Sequence, residues 1–362
     1  MKVLHVSKSS TYSGMENVAI NIMKSMPDEV ECMYLTATGS IEAKLLDNDL
    51  PYIGVEKVDE KAIKRTIEDY KPDIIHAYEY DCSLMCTKVT DEIPIISHLY
   101  SLPKWVQKIG PKSVVYGGAC KNFAKIILPD KHVEEKAWFK DQMKDKTVVL
   151  GVPFNAVAVF ERGYMAGTDM TKEKLEAYKS DLLFVGYLTE DKNPYEFVRI
   201  VAEIKKTHPD IKAVMVGGGD LGSECLDLIG KLKLQDTLKM AGMQHNPYIY
   251  MNQTKVVVIP SKFEGYGMVA PEAMAFGKPV VASCVGGLKV TVDDNCGKLC
   301  GTDKKPVDRE AFIANITELL DNSEIYRMKS EGARRRAKDL NNFDTYMEEI
   351  VKIYEEVKNT AK

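Results

Sequence analysis

The chain has 362 residues, too many for one ordinary core and enough for two domains of common size. Hydrophobic residues make up 45% and charged residues 28%, which is typical of a folded globular protein and excludes a disordered, collagen-like or coiled-coil chain. The formal net charge of −4 gives no general attraction to nucleic acid, so we expect no nucleic-acid partner.

No segment of the sequence predicts export, membrane insertion or a disulfide framework. The N-terminus, MKVLHVS, is too short and polar for a signal peptide, and no apolar run approaches the roughly 20 residues that span a bilayer. A cytoplasmic location is the resulting expectation. Two cysteine pairs have C-x3-C spacing, Cys82/Cys86 and Cys296/Cys300, but no histidine lies beside them. We therefore interpret the cysteines as reduced apolar side chains rather than metal ligands.

Short apolar runs alternate with helical segments in the first part of the chain. Val3–Ser7 predicts a strand and Met15–Lys24 a helix. Further strands are predicted at Ile74–His76, Ile95–Ser97, Ile126–Leu128 and Thr147–Leu150. Strands that are apolar on both faces and alternate with helices are typical of a parallel sheet covered on both sides. This pattern predicts a doubly wound α/β domain.

The alternation is lost from about Gly151 to Ser180, which ends in a charged helical stretch at Thr171–Lys179, and then restarts. The second set of predicted strands is Leu182–Val185, Ala213–Val216, Leu238–Met240, Val256–Pro260 and Val280–Ser283, with helices such as Pro194–Lys206 and Ala270–Phe276 between them. We predict a first Rossmann-like domain over residues 1–165 on the acceptor side, a second over 166–340 on the nucleotide-sugar donor side, and a final helix over 341–362 that packs back on the first domain. Because such sheets bind ligands at the carboxyl ends of their strands, we expect the site in a cleft between two facing domains.

The segment from Val256 to Ser283 is the most informative, and it reads VVVIPSKFEGYGMVAPEAMAFGKPVVAS. It predicts a strand, a glycine-rich loop, a helix, a tight turn and a strand. Gly265 and Gly267 allow positive φ and close approach to a ligand. The amides of Met268, Val269 and Ala270 would lie at the positive end of the helix dipole, which suits phosphate oxygens. The carboxylates of Glu264 and Glu272 would accept hydrogen bonds from sugar or ribose hydroxyls.

This segment resembles the E-x7-E signature of the family-4 glycosyltransferases, which are retaining enzymes of the GT-B fold. The resemblance implies that Glu264 contacts the transferred sugar, that Gly267, Met268 and Val269 hold the diphosphate, and that Glu272 holds the ribose. It also implies a nucleotide-diphosphate sugar as co-substrate, most commonly a UDP-sugar, with no metal and no other cofactor. A helix-capping carboxylate beside a structural loop is the alternative.

Other segments of the sequence resemble further motifs of this family, less specifically but in the same order along the chain. Residues 184–193, FVGYLTEDKN, resemble its G-R-L-x4-K segment, in which the Arg and Lys neutralise the leaving diphosphate. Lys192 fits this pattern, whereas Tyr187 stands in place of the arginine and supplies no positive charge. Residues 214–220, VMVGGGD, resemble a G-x-G loop, although a plain turn is equally compatible. Gly286-Gly287 also fits the family.

The first domain contributes fewer candidates. The tetrapeptide Ser13-Gly14-Met15-Glu16 resembles the family's G-G-x-E turn, which implies that the Gly14 backbone contacts the donor phosphates. His98 ends the strand PIISH, where the family keeps a histidine near the reacting sugar, although a strand-end histidine is often only structural. His76 is interpreted as structural or acceptor-facing. The D-x-D element at residues 47–49 follows a helical stretch and is not interpreted as a metal site.

Residues Pro103–Lys125 contain five lysines and no acidic residue, with aromatic and aliphatic side chains among them. One hypothesis is a surface that binds anionic membranes and brings the enzyme to a lipid-linked acceptor at the inner face of the cell membrane. An ordinary solvated helical face is the alternative.

Taken with the resemblance, the sequence predicts a metal-independent, retaining hexosyltransferase with His98, Lys192 and Glu264 as its catalytic residues. The expected acceptor is a glycan, a lipid-linked molecule or a protein, in cell-surface polysaccharide or glycoconjugate synthesis. Two alternatives stay open. One is a non-catalytic donor- or glycan-binding partner of a glycosyltransferase complex. The other is a nucleotide-sugar epimerase of the same fold.

Overall fold

A computed structural model describes residues 1–168, 170–302 and 304–360. The chain forms two compact units. The first unit comprises Met1–Pro153 together with Asn342–Lys362, and the second comprises Phe154–Asn341.

The first unit contains a seven-stranded sheet in the order β3-β2-β1-β4-β5-β6-β7. All of its neighbouring strands pair in parallel. The strands are β1 (Lys2–Val6), β2 (Glu31–Ala37), β3 (Tyr52–Val55), β4 (Ile74–Tyr78), β5 (Ile95–His98), β6 (Phe123–Leu128) and β7 (Thr147–Val149). The β4 strand is buried along its whole length, as expected for a central strand covered on both faces.

Helices connect these strands and cover the sheet. They are α1 (Gly14–Lys24), α2 (Ser40–Leu46), α3 (Glu60–Tyr70), α4 (Glu79–Val89), α5 (Pro111–Ala119), α6 (Lys131–Lys136) and α7 (Lys140–Met143), with a 3₁₀ turn at Cys120–Asn122. Local sequence sets several of their ends. Asp59 caps the start of α3, where its carboxylate accepts a hydrogen bond from the Ala62 amide, and Lys71, in the left-handed conformation, follows the last residue of the helix.

The second unit contains a six-stranded parallel sheet in the order β10-β9-β8-β11-β12-β13. Its strands are β8 (Ser180–Val185), β9 (Ala213–Val216), β10 (Leu238–Gly242), β11 (Thr254–Ile259), β12 (Val280–Ser283) and β13 (Gly297–Cys300). The apolar β11 run lies at the centre of the core, with Val256, Val257 and Val258 fully buried. The order reverses beside β8, so β8 and β11 frame the switch point where doubly wound sheets bind ligands.

The helices of the second unit are α8 (Ala156–Thr168), α9 (Lys172–Glu176), α10 (Pro194–Lys205), α11 (Gly222–Lys231), α12 (Tyr248–Gln253), α13 (Val269–Ala275), α14 (Leu288–Thr291), α15 (Arg309–Asp321) and α16 (Ser323–Leu340). The α8 helix occupies the segment in which the sequence showed no strand–helix rhythm. It packs on α12 and α13. Gly163 allows this close approach, because a side chain there would collide with Phe276 and Tyr248. The second unit therefore begins at Phe154, earlier than the residue-165 boundary expected from the sequence.

A last helix, α17 (Phe343–Thr360), belongs to the first unit, where it packs against β4 and β6. Its buried side includes Tyr346, Ile350 and Tyr354. None of the helices formed by the described residues is both long and apolar enough to cross a bilayer.

Candidate functional site

The predicted donor residues Lys192 and Glu264 meet at the carboxyl ends of β8 and β11. The Lys192 Nζ lies 2.7 Å from Oε2 of Glu264, and the Ser261 hydroxyl donates to Oε1 of the same carboxylate at 2.8 Å. Glu264 is only 7% exposed. Each carboxylate oxygen thus has its own donor, so the side chain is fixed in one orientation. Ser261 was not predicted, although a serine three positions before a glutamate at a strand end was the available signal.

Asn193 holds the loop that carries Lys192. It adopts the left-handed conformation, with φ at +53°, and its side-chain amide donates to the Pro260 carbonyl at 3.0 Å. Pro194 then begins α10. The backbone amides of Lys262 and Phe263 donate to the Asp191 carbonyl, at 2.7 and 3.2 Å. The two loops are therefore joined by backbone and side-chain bonds, which sets the distance between Lys192 and Glu264.

The glycine-rich loop rests on the turn after β12. A methyl group on Gly286 would lie 1.9 Å from the Glu264 carbonyl oxygen, and one on Gly287 would lie 2.5 Å from Cα of Tyr266. The Gly287 amide donates to the Gly265 carbonyl at 2.7 Å. Here Gly286-Gly287 is required by backbone-to-backbone packing, and this contact positions the Glu264 backbone.

Gly267, with φ at +78°, turns the chain into α13. Among the described residues, no backbone group accepts a hydrogen bond from the amide of Met268 or of Val269. The amide of Ala270, in contrast, donates to the Gly267 carbonyl at 3.0 Å, so the expectation of a third free amide there is corrected. Two amides remain at the start of α13 for the predicted phosphate contact.

Glu272 lies in the first turn of α13 and accepts a hydrogen bond from the Tyr248 hydroxyl at 3.1 Å. Burial raises the pKa of Glu272 to about 7, against the opposing effects of the Tyr248 bond and the positive charge of Arg162. The carboxyl group therefore changes its charge near neutral pH. Tyr248 was not predicted, and nothing in its local sequence marks it.

The glycine cluster after β9 packs on the loop that contains Tyr187. A methyl group on Gly217 would lie 1.8 Å from the Gly186 carbonyl oxygen, and one on Gly219 would lie 2.6 Å from that of Leu188. The cluster therefore supports the Lys192 loop rather than forming an isolated turn. Tyr187, in place of the family's arginine, is 41% exposed.

In the first unit, the Ser13–Glu16 turn forms a capping arrangement at the start of α1. The Ser13 amide donates to Oε2 of Glu16 at 3.1 Å, the Ser13 hydroxyl bonds to the same oxygen, and the Ser7 hydroxyl donates to Oε1 at 3.4 Å. Glu16 is thereby buried as a structural residue. A methyl group on Gly14 would meet no atom within 4 Å, so packing inside the protein does not require glycine there.

His98 belongs to a buried network of histidines and tyrosines. Its Nδ1 lies 2.9 Å from Nε2 of His76 and its Nε2 lies 3.1 Å from the Tyr346 hydroxyl, while His76 Nδ1 lies 2.6 Å from that of Tyr354. The His98 ring is 0% exposed, and burial lowers its pKa to about 3. The structure thus places both ring nitrogens of His98 on protein partners, and the network ties β4 and β5 to α17. The predicted contact between His98 and the sugar stays a prediction.

The cysteines are all unpaired, and seven of the eight are buried. No group of three or more His, Cys, Asp or Glu side chains able to hold a metal occurs within residues 1–168, 170–302 and 304–360.

Comparisons with known proteins agree with this architecture. The closely superimposing structures include HepE of Anabaena in complex with UDP and glucose, with a TM-score of 0.83 and 18% identity, covering 98% of this chain and 100% of that one. Sucrose-phosphate synthase of Thermosynechococcus elongatus superimposes with a TM-score of 0.75 and 19% identity, covering 99% of each chain. The predicted GT-B fold, with its two doubly wound parallel sheets, is confirmed.

The sequence comparisons find similarity to one class of proteins, the glycosyltransferases. Residues 167–336 match the sequence model of the family described as glycosyl transferases group 1. An uncharacterized glycosyltransferase of Methanocaldococcus jannaschii is 27% identical over 295 residues, which are 71% of this chain and 71% of that protein. The family match covers most of the second unit, including Lys192, Glu264 and Glu272.

Proposed function

We propose that this protein transfers a hexose from a nucleotide-diphosphate sugar to a hydroxyl group of a glycan, a lipid-linked molecule or a protein, with retention at the anomeric carbon. The observation that carries the proposal is the ion pair between Lys192 and Glu264 beside the open amides of Met268 and Val269. A cation and an anion therefore meet on the glycine-rich loop, and the residues that follow in that loop offer backbone donors suited to a diphosphate. UDP is the proposed nucleotide, since HepE, which shares the fold, is known in complexes with UDP and with UDP-glucose.

In this reaction the bond between the anomeric carbon and the diphosphate oxygen breaks, and the acceptor oxygen bonds to the same face of that carbon. Negative charge develops on the diphosphate, where the Lys192 ammonium and the amides of Met268 and Val269 would stabilise it. Glu264 would accept hydrogen bonds from the sugar hydroxyls, and Glu272 from the ribose. The acceptor proton passes to the leaving diphosphate.

A thermal-shift panel of UDP-, GDP- and ADP-sugars tests donor binding, because a ligand bound to the native state raises the melting temperature. We expect one nucleotide sugar to raise it and the free sugar alone to leave it unchanged. The absence of a shift with every donor would contradict the proposal. Proton NMR of the product then reports the anomeric configuration, and turnover in the presence of EDTA tests the proposed independence from metal.

One observation favours a second candidate, a donor-binding partner without transferase activity. Tyr187 presents a phenol where the family has an arginine, so one positive charge at the diphosphate is missing. Such a partner would show a donor-induced thermal shift but no consumption of donor with any acceptor. Formation of an epimerised nucleotide sugar would instead identify an epimerase.

We also propose that the first unit binds anionic membranes through a basic face, defined here as Lys104, Lys108, Ile109, Lys112, Val114, Val115 and Lys121. The aliphatic members are unusually exposed, with Ile109 at 70%, Val114 at 50% and Val115 at 55%. Lysines flank them, and Lys104, Lys108 and Lys112 line a shallow cavity of about 300 Å³. Aliphatic side chains among cations suit the boundary between anionic headgroups and acyl chains. Lys125 lies apart from this face, since it pairs with Glu356 at 3.0 Å.

Co-sedimentation with phosphatidylglycerol and phosphatidylcholine vesicles tests the basic face. We expect binding to the anionic vesicles only, and its loss in the triple variant Lys104→Glu, Lys108→Glu, Lys112→Glu. The matched control reverses three exposed lysines elsewhere in the first unit, Lys57, Lys61 and Lys64. Equal binding to both kinds of vesicle, or equal loss in both triple variants, would contradict the proposal.

A further inference from the structure

A cavity of about 810 Å³ lies in the second unit, between α10 and the start of α15. Its volume is in the upper part of the range of about 300–1,000 Å³ for small-molecule sites. Tyr195 and Arg199 line it from α10, and Ile313 lines it from α15. None of the proposed donor residues is among the described residues that line it. The cavity is therefore distinct from the proposed donor site.

One buried carboxylate holds two guanidinium groups at the wall of this cavity. Glu196, only 7% exposed, accepts hydrogen bonds from Nε and Nη2 of Arg309 at 2.6 and 2.7 Å, one at each oxygen. Nη1 of Arg199 lies 3.7 Å from the same carboxylate. Within the described part of the chain, neither guanidinium is bonded to any other acceptor. Because a guanidinium carries five N–H groups, both arginines keep donors for a ligand.

Two exposed ion pairs form the rim of the cavity. The Lys262 ammonium lies 2.6 Å from the Glu190 carboxylate, and the Lys305 ammonium lies 3.4 Å from that of Asp308. Exposed pairs of this kind contribute little to stability, so a ligand displaces one partner at small cost. Each pair thus presents a hydrogen-bond donor beside an acceptor.

The charges of the lining side chains nearly cancel, with five acidic and four basic residues. This balance disfavours a polyanion such as a nucleotide and equally a polycation. Donors beside acceptors match the neighbouring hydroxyl groups of a sugar instead. The half-buried side chains of Tyr195, Val307 and Ile313 add an aromatic and aliphatic surface, which suits the C–H faces of sugar rings. The chemistry of the lining therefore favours a neutral carbohydrate.

We propose that this cavity binds a neutral oligosaccharide, with Arg199 and Arg309 donating hydrogen bonds to its hydroxyl groups and Tyr195 lying against one of its rings. The site is additional to the proposed transferase centre. It requires none of the groups assigned to donor binding, so the binding of an oligosaccharide is measured independently of transfer.

The cavity borders both loops that carry the donor ion pair. Glu190 lies two positions before Lys192, and Lys262 lies two positions before Glu264. The backbone amide of Lys262 also donates to the carbonyl of Asp191 at 2.7 Å, which joins the two loops at this edge of the cavity. An oligosaccharide bound here would lie next to the Lys192–Glu264 pair without occupying it. Simultaneous binding of oligosaccharide and nucleotide is therefore expected.

Saturation-transfer NMR with maltotriose, cellotriose and mannotriose tests the cavity. We expect at least one trisaccharide to bind the wild-type protein, and its Kd to rise about tenfold in Arg199→Ala, because hydrogen bonds from a charged donor are lost. The bidentate pair of Glu196 and Arg309 is retained in this variant, so its melting temperature should stay close to that of wild type. Arg327→Ala, at an exposed site of α16, is the matched control and should leave the Kd unchanged. Silence of all three trisaccharides, or an equal Kd in wild type and Arg199→Ala, would overturn the inference.

A competition measurement separates this cavity from the donor site. Saturating UDP should leave the Kd of the trisaccharide within twofold of its value without UDP. Displacement by UDP would place the trisaccharide in the donor site and overturn the inference. Tyr195→Leu keeps an apolar side chain but removes the ring, so it should also weaken binding. A Kd unchanged by this variant would overturn the ring contact.

Discussion

Lys192 and Glu264 form a 2.7 Å ion pair although 72 positions separate them in the sequence. Each residue comes from a different predicted motif, and the ends of β8 and β11 bring the two motifs together. The lysine side chain is 30% exposed, so its ammonium can still reach a ligand while Glu264 holds it in place. The pair therefore positions one cation and one anion at the switch point of the second sheet.

Replacing Lys192 with alanine should lower kcat by about 10²- to 10³-fold, as expected for loss of a group that stabilises transition-state charge. Steady-state kinetics with the identified donor measures this. Lys255→Ala is the control, because Lys255 pairs with Asp181 at 2.8 Å in the same unit and contacts no predicted donor residue. An unaltered kcat in Lys192→Ala or in Glu264→Ala would argue strongly against the catalytic assignment.

Gly286→Ala should destabilise the second unit and abolish donor binding. The added methyl group would lie 1.9 Å from the Glu264 carbonyl oxygen, and the residue has φ at +46°. The left-handed conformation alone costs about 1–2 kcal/mol for a residue with a side chain, and the steric clash adds to it. Thermal unfolding with and without donor measures both effects. Gly230→Ala is the matched control, since its methyl group would approach only the Gln235 side chain, at 3.9 Å; equal losses in the two variants would contradict this reading.

Donor affinity should depend on pH through Glu272. Burial raises its pKa to about 7, so the carboxyl group is neutral at lower pH and ionised at higher pH. The ionised form can accept hydrogen bonds from two ribose hydroxyls, one at each oxygen. In the neutral form one oxygen carries the proton and acts as a donor instead. Titration calorimetry should therefore give a weaker donor affinity at pH 6 than at pH 8. Glu272→Gln should bind weakly at both values, and a persisting pH dependence in that variant would assign the effect to another group.

His98→Ala distinguishes a structural role from sugar contact. The substitution removes the partner of His76 and of Tyr346, leaving buried polar groups unpaired, which costs about 1–3 kcal/mol each. We expect a clearly lower melting temperature, measured by calorimetry. His132→Ala, at an exposed site of the same unit, should have little effect. A normal melting temperature with a raised donor KM would instead support the predicted sugar contact.

Acid should destabilise the first unit through the same network, which includes His5 because its ring stacks on that of His76 with the centroids 5.2 Å apart. Burial lowers the pKa of both His5 and His98 to about 3, so both stay neutral in the folded state at moderately low pH. In the unfolded chain they take up protons below about pH 6.5. The unfolded state then binds more protons, so the free energy of unfolding falls as the pH drops from 7 toward 4. Denaturant titrations across this range measure the slope, and a slope unaffected by His5→Phe would show that other groups cause it.

The sequence predicted the central strands well, because uninterrupted apolar runs such as those of β4 and β11 have few other structures available. The strands β2, β3 and β13 were missed. The β3 and β13 strands are only four residues long, and they contain Gly54 and Gly297, which weaken a strand pattern. The α8 helix was missed because its apolar residues do not mark a single buried face; Phe160 and Met165 are among its exposed ones.

The donor motif was predictable because its residues are close in sequence or match a known spacing. The contacts that position it were not. Ser261, Tyr248 and the Gly286 packing depend on where loops from different strands meet, which one sequence does not specify. The pair of Glu196 and Arg309 had no sequence signal, because the two residues lie 113 positions apart on different helices.

The return of α17 to the first unit has a consequence for how the protein is made. Residues 343–360 are synthesised after the whole second unit, yet they cover the buried face of β4 and β6 and bond to His76 and His98. During translation the second unit can fold independently, whereas the first unit lacks α17 and therefore lacks the tyrosine partners of its histidine network. At about 5–20 residues per second, the 188 residues of Phe154–Asn341 impose a delay on the order of ten seconds or more. In that interval the apolar surface that α17 later covers stays exposed, and exposed surface of this kind is prone to aggregation until the helix is made and docks.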